Sequence, residues 1–231
     1  MPLVLIPLAL WVNAVMLKSQ PDIFSLTQLT PLEILSVVLC FVGLGIRILT
    51  VAYTPKNTSG RNTSQGQVAD SINTSGCYSV VRHPLYVGNF FMWLGIAVLP
   101  GNIWFVVSFV LVYWLYYERI MYAEENFLIN KFGDKYLQYA SKTPAFIPAI
   151  GQWKAPDMYF SWKKVLKKEK NGLFAIFLLI FLFNCWVNWL SNGEILTSKS
   201  WSIYTMIATG VLYFVLKFVK YNTKFLEEVD R

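Results

Sequence analysis

Charge is scarce in this chain. Only 14% of its 231 residues are Asp, Glu, Lys or Arg, while 55% are hydrophobic and 17% aromatic. Soluble domains carry about a quarter charged residues, so the scarcity excludes an ordinary soluble globule and marks a membrane protein. Cysteine is scarce too. Cys40, Cys77 and Cys185 are odd in number, lack metal-ligand spacing, and two of them lie in apolar runs. They argue for neither a disulfide framework nor zinc, and no metal site is expected. Acidic residues are few enough to leave a net charge of +7. The basic residues do not gather on a polar face, however, so no nucleic-acid partner is expected. The opening apolar run has no positive leader and no small-residue cleavage site, so it is not read as a signal peptide. Internal repeats and heptads are missing as well.

What is present is a series of apolar runs, at 2–17, 32–53, 85–99, 103–117, 173–190 and 203–219. They predict an all-α, polytopic membrane bundle of about six transmembrane helices. The first run is short, and is read as tilted or partly inserted. Thr30-Pro31 with Glu33 is a helix-start signal for the second. Arg47, near the end of that run, is read as snorkelling to the interface. Residues 54–75 form a polar loop, and Pro100-Gly101-Asn102 is a tight turn between two antiparallel spans. Residues 151–171 hold Trp153, Trp162 and a run of lysines, and read as an interfacial amphipathic segment touching anionic lipid. The chain thus divides into 1–53, 54–150 and 151–231. Of its 20 Lys and Arg, 17 fall in 54–84, 118–172 and the tail, against Lys18 and Lys199 on the other side. The positive-inside rule puts the first set in the cytoplasm.

Polar residues concentrate in two stretches. The first is Gly76-Cys-Tyr78-Ser-Val-Val-Arg82-His83-Pro84-Leu85-Tyr86-Val-Gly88-Asn89, with the only histidine of the chain. Pro84 keeps His83 extended and can itself open a helix. By composition alone, a membrane-interface turn would use the same residue types. The second runs through Glu118-Arg119, Tyr122 and Glu124-Glu125-Asn-Phe-Leu128 to Phe132-Gly133, Tyr136, Tyr139, Pro144 and Pro148. The apolar hairpin over 85–117 returns the chain to the side it left, so it brings Arg82-His83 near Glu118–Glu125. Helical spacing puts Glu118, Tyr122 and Glu125 on one face, and Glu124 with Leu128 on its neighbour. Gly133 is a C-terminal cap; Tyr136 and Tyr139 are read as packing or interface-belt residues.

Four motifs in this order, Arg-His-Pro-x-Tyr-x-Gly, Glu-Glu, Phe-Gly-x-x-Tyr-x-x-Tyr and Pro-x-x-x-Pro, cover roughly residues 63 to 150. They resemble the isoprenylcysteine carboxyl methyltransferase / phospholipid methyltransferase family of integral-membrane enzymes, and within it the bacterial, lipid-methylating members. The resemblance implies an S-adenosylmethionine-dependent enzyme with a cytoplasmic cofactor pocket and an amphiphilic acceptor taken from the bilayer, a membrane lipid or a lipidated substrate. It also implies that Asp70, Ser71, Ile72, Asn73, Tyr78, His83, Pro84, Leu85, Tyr86, Glu124 and Glu125 surround the cofactor. Glu124 suits ribose hydroxyls or an ammonium, and the rings of Tyr78 and Tyr86 suit adenine or a sulfonium. Arg82 or Arg119 would hold an acidic acceptor group by a bidentate pair. The family's substrate-binding arginine falls at Ile120 here, which directs the expectation to Arg119 and to a lipid phosphate resembling the lipid A 1-phosphate. A prenylcysteine carboxylate and a phospholipid amine are the alternatives within the family. Outside it stand an NADPH-dependent sterol-type reductase, which shares the Arg-His-Pro run, and a small transporter or scaffold.

Overall fold

The computed structural model describes residues 2–25, 27–55, 58, 61–63 and 66–228. Its helices are α1 (Pro2–Ser19), α2 (Pro31–Tyr53), α3 (Cys77–Val80), α4 (Pro84–Val98), α5 (Ile103–Phe132), α6 (Asp134–Ala140), α7 (Trp162–Asn192) and α8 (Ser200–Asn222). Among them α2, α5, α7 and α8 are long and apolar enough to cross a membrane, and α1 and α4 are shorter apolar helices. The all-α membrane bundle expected from the apolar runs is the fold.

Local signals set the helix ends. Thr30 and Glu33 form a reciprocal capping box at the start of α2, and the Asn102 side chain accepts the Phe105 N–H at 2.9 Å to open α5. Gly101, at φ 72°, makes the turn before it. Gly133, at φ 54°, ends α5 and donates its N–H to the Ile129 carbonyl. Helices α2 and α4 pack backbone to backbone. A Cβ on Gly43 would lie 2.4 Å from the Gly88 carbonyl, and one on Gly95 would lie 2.6 Å from the Ser36 carbonyl. Such small-residue contacts are how helices associate where lipid removes the hydrophobic drive. α7 then covers this pair: Cys40, Leu44, Ile96, Leu99, Ile176, Ile180 and Phe183 share one buried cluster. Apolar side chains on the outer faces of α5 and α8, such as Trp104, Leu111, Val211 and Phe214, are exposed and turned to lipid.

Two expectations are corrected. The polar loop over 54–75, part of which lies outside the described residues, contains an antiparallel hairpin of β1 (Arg61–Thr63) and β2 (Gly66–Val68). The interfacial segment over 151–171 and the span after it are not separate from Trp162 onward, because α7 runs unbroken to Asn192. Trp162–Lys170 has no Pro or Gly and is rich in lysine, a good helix former. Ser161 caps it by accepting the Lys164 N–H at 3.0 Å.

Candidate active site

The Gly76–Asn89 stretch is shaped by a strap from the far end of the second polar stretch. Gly76, at φ 58°, bridges to Lys154, donating its N–H to the Lys154 carbonyl at 3.0 Å. Ala149 donates to the Val80 carbonyl, Arg82 to Pro144 and His83 to Ala145, at 2.9, 2.9 and 3.2 Å. Pro144–Pro148 therefore forms a wall against the motif as well as ending a helix. Val81 is extended, and Pro84 opens α4 with His83 in the cap position.

Behind that wall the two motifs meet through side chains. Arg82 donates from Nε and Nη2 to the two oxygens of Glu125 at 3.0 and 3.1 Å, and from Nη1 to the carbonyls of Ala140 and Thr143 at 2.7 and 3.1 Å. His83 Nε2 lies 2.8 Å from Glu125 Oε1, and its Nδ1 lies 3.6 Å from Glu124 Oε2. Tyr86 donates its hydroxyl to Glu124 at 2.6 Å, and its ring stacks on His83 with centroids 5.5 Å apart. Tyr113 supports it by donating to the Tyr86 carbonyl at 2.7 Å. On the other side Tyr139 donates to the Tyr78 carbonyl at 2.7 Å.

These groups enclose a cavity of about 230 Å³, lined by Arg47, Thr58, Ile72, Asn73, Tyr78, Arg82, His83, Leu85, Tyr86, Asn89, Glu124, Leu128, Tyr136 and Tyr139. A larger cavity of about 460 Å³ lies among α1, α4 and α7, with walls such as Leu10, Ile96, Leu182 and Phe183. It offers no titratable carboxylate or cation and lies away from both motifs. The smaller cavity is the one that gathers charged and hydrogen-bonding side chains from both motifs.

The structure brings Ile72, Asn73, Tyr78, Arg82, His83, Leu85, Tyr86 and Glu124 together on its wall. Pro84 is buried behind them, and Glu125 holds Arg82 and His83 from outside the lining. Asp70 and Ser71 are exposed and off the wall. Arg82 is on the wall, yet four of its five N–H donors are committed to Glu125 and two carbonyls. It is a clamp, not a free fork for an acceptor. Arg119 is exposed and not on the wall. Five residues of α-helix turn through about 500°, leaving Arg119 roughly 140° round from Glu124.

Sequence reasoning missed three kinds of residue. Arg47 does not snorkel: its Nε and Nη2 pair with Glu169 at 2.7 and 2.8 Å, and its Nη1 donates to Asn89 at 2.6 Å. Tyr136 and Tyr139 line the cavity as well as pack. Burial, reinforced for Tyr136 by the Glu125 charge and for Tyr139 by neighbouring Tyr78, pushes both phenols well above their ordinary range, so they stay neutral donors. Thr58 and Asn89 also face the cavity. The missed signal was an arginine inside an apolar span, a costly placement that marks function by default.

Residues 32–135 match the phospholipid methyltransferase family. The chain is 46% identical over 78 residues to a protein-S-isoprenylcysteine O-methyltransferase of Schizosaccharomyces pombe, covering 33% of each chain. It is 33% identical over 94 residues to the cobalt-zinc-cadmium resistance protein CzcN of Cupriavidus metallidurans, covering 41% of this chain and 43% of that one. A solved eukaryotic intramembrane Ras methyltransferase, isoprenylcysteine carboxyl methyltransferase, superposes with a TM-score of 0.48 at 22% identity, over 66% of this chain and 54% of that one. The chain spans less than half the length of these two curated relatives. The order of the four motifs, the family match over residues 32–135 and the sequence relatives together make the chain similar to the integral-membrane isoprenylcysteine carboxyl methyltransferase / phospholipid methyltransferase family.

Proposed function

We propose that this chain is an S-adenosylmethionine-dependent methyltransferase acting on an oxygen of a membrane amphiphile. The observation that carries the reading is the Glu124 carboxylate, 8% exposed and held at the cavity by the Tyr86 hydroxyl at 2.6 Å. The donor set of the cavity fits the cofactor. Glu124 suits ribose hydroxyls or an ammonium, the Asn73 amide both donates and accepts, and the rings of Tyr78, His83 and Tyr86 alternate with Leu85 and Leu128 as a purine site would. When bound, S-adenosylmethionine supplies an electrophilic methyl group on a sulfonium. An oxyanion acceptor has no proton to lose, so this chain's residues need only bind, align and keep the site dry. Tyr86 fixes the rotamer of Glu124. The Arg82–Glu125–His83 network fixes the start of α4 against α5, and Tyr136 and Tyr139 close the wall with neutral groups. The basic asymmetry supports a cytoplasmic opening for the cavity.

The acceptor is an acidic amphiphile. The relatives' names favour a prenylcysteine carboxylate, and the lipid phosphate suggested by the bacterial wording of the motif has no support among them. Titration of the purified chain with S-adenosylmethionine and with NADPH tests the reading. Saturable binding of the first, weakened more than tenfold in Glu124→Gln, is expected; binding of NADPH alone would replace the methyltransferase with a reductase.

A further inference from the structure

A cavity that must orient an acidic acceptor needs a cation with donors to spare, and the two arginines expected to serve do not have the right placement. Arg82 has one N–H left, and Arg119 is outside. Arg47 is different. It lies six residues inside the end of α2, about 9 Å below it, and reaches the cavity because Gly88 of the motif leaves it room: a Cβ there would lie 2.5 Å from Arg47 Cγ. Glu169, 4% exposed, grips Nε and Nη2 from behind, and Asn89 holds Nη1. Three of five donors are thereby used. One N–H remains on each terminal nitrogen. The Arg47 side chain is 22% exposed, and it lines the cavity where Glu169 does not.

We propose that Arg47 is the acceptor anchor: its two uncommitted N–H groups receive the oxyanion of the amphiphile, while Glu169 and Asn89 are positioning residues that aim them. The inference rests on the methyltransferase reading and names the part of the site that takes the acceptor. Because Glu169 neutralises Arg47, recognition depends on the direction of the fork and not on bulk charge. Asn89 is three residues beyond Tyr86 in α4, one turn deeper. The anchor thus sits about one helical turn further into the bundle than the Tyr86–Glu124 bond.

The test is direct binding to the purified full chain in detergent, with two acid–ester pairs: S-farnesyl-N-acetylcysteine and its methyl ester, and hexadecyl phosphate and its neutral dimethyl ester. Wild type should bind one acid at least tenfold more tightly than its ester, and the pair that does so identifies the acceptor's acid group. Arg47→Gln should abolish that preference and leave ester affinity and S-adenosylmethionine affinity within twofold. Arg47→Lys should restore part of it. Should Arg47→Gln not fold, Asn89→Leu keeps the Arg47–Glu169 pair and should still reduce the preference severalfold. Wild type that does not discriminate acid from ester, or discrimination that survives in the folded variants, overturns the anchor. Failure of wild type to bind S-adenosylmethionine overturns the enzyme reading instead, since the acid–ester contrast is read without it.

Discussion

The two ends of the bundle each bury an ion pair between distant segments, and the pairs do different work. At one end Lys199, in the α7–α8 connection, donates to Glu33 at the start of α2 at 2.8 Å, with side-chain exposures of 5% and 4%. Thr30 adds its N–H and hydroxyl to the same Glu33 oxygen. This pair lines neither of the two cavities described above. At the other end Arg82–Glu125 and Arg47–Glu169 are 16%/20% and 22%/4% exposed, and both arginines line the same cavity. A sealed pair tethers a loop. A pair open on one side presents a shaped polar wall, and that openness separates site from scaffold.

The comparison breaks first on sidedness, where the expected effect is all or none. Cysteine introduced at exposed Thr74 and at exposed Asn192, in a chain freed of Cys40, Cys77 and Cys185, should be labelled from opposite faces of sealed vesicles. Labelling of both from one face would put the two ends on the same side and end the argument for a cytoplasmic site. Next in size is Lys199→Met, which strands a buried carboxylate at a cost of roughly 3–5 kcal/mol. A large drop in melting temperature with unchanged cofactor affinity is expected, and Glu33→Gln added to it should recover much of the loss. Cofactor affinity that falls with Lys199 would erase the distinction between the ends.

At the site end the effect is on binding instead. Glu124→Gln removes a charge-assisted hydrogen bond worth about 1.5–3 kcal/mol, so S-adenosylmethionine affinity should weaken by more than tenfold, and by more than in Glu125→Gln. Calorimetry that ranks the two the other way would move the cofactor contact to Glu125. The smallest effect is at Tyr139. Loss of its bond to the Tyr78 carbonyl in Tyr139→Phe should cost about 0.5–1.5 kcal/mol. Its raised pKa sets a sign as well. The unfolded phenol ionises near about pH 10 while the folded one keeps its proton, so its contribution is whole below that pH and is lost as pH rises above it. Thermal melts from neutral to alkaline pH should fall less steeply in Tyr139→Phe than in wild type; equal slopes would refute the assignment.

Much of this was legible because the signals are local. The apolar runs became helices close to where they were expected, and Thr30-Pro31 with Glu33 became a capping box. The hairpin turn at Pro100–Asn102 brought His83 to Glu124 and Glu125. What failed was long-range or rotational. Arg119 was expected at the acceptor because it neighbours Ile120, but one residue is about 100° of helix rotation, and the packing of α5 turned that 100° to the outside. Arg47 was read as snorkelling because its partner Glu169 lies 122 positions away, beyond any local pattern. Tyr139 was read as packing, and its bond to Tyr78 spans 61 positions.

By itself the sequence determined a helical membrane protein, the order of its spans, and the meeting of Arg82-His83 with the Glu pair, since hydropathy, proline and turn chemistry act within a few residues. Tertiary structure alone decided that Arg47, and not Arg119, lines the cavity, with two N–H donors uncommitted. That choice depends on Gly43 and Gly88 drawing α2 against α4 and on α7 delivering Glu169 behind Arg47. A guanidinium in a span takes its direction from the partner that pays its desolvation cost, and that partner is supplied by packing.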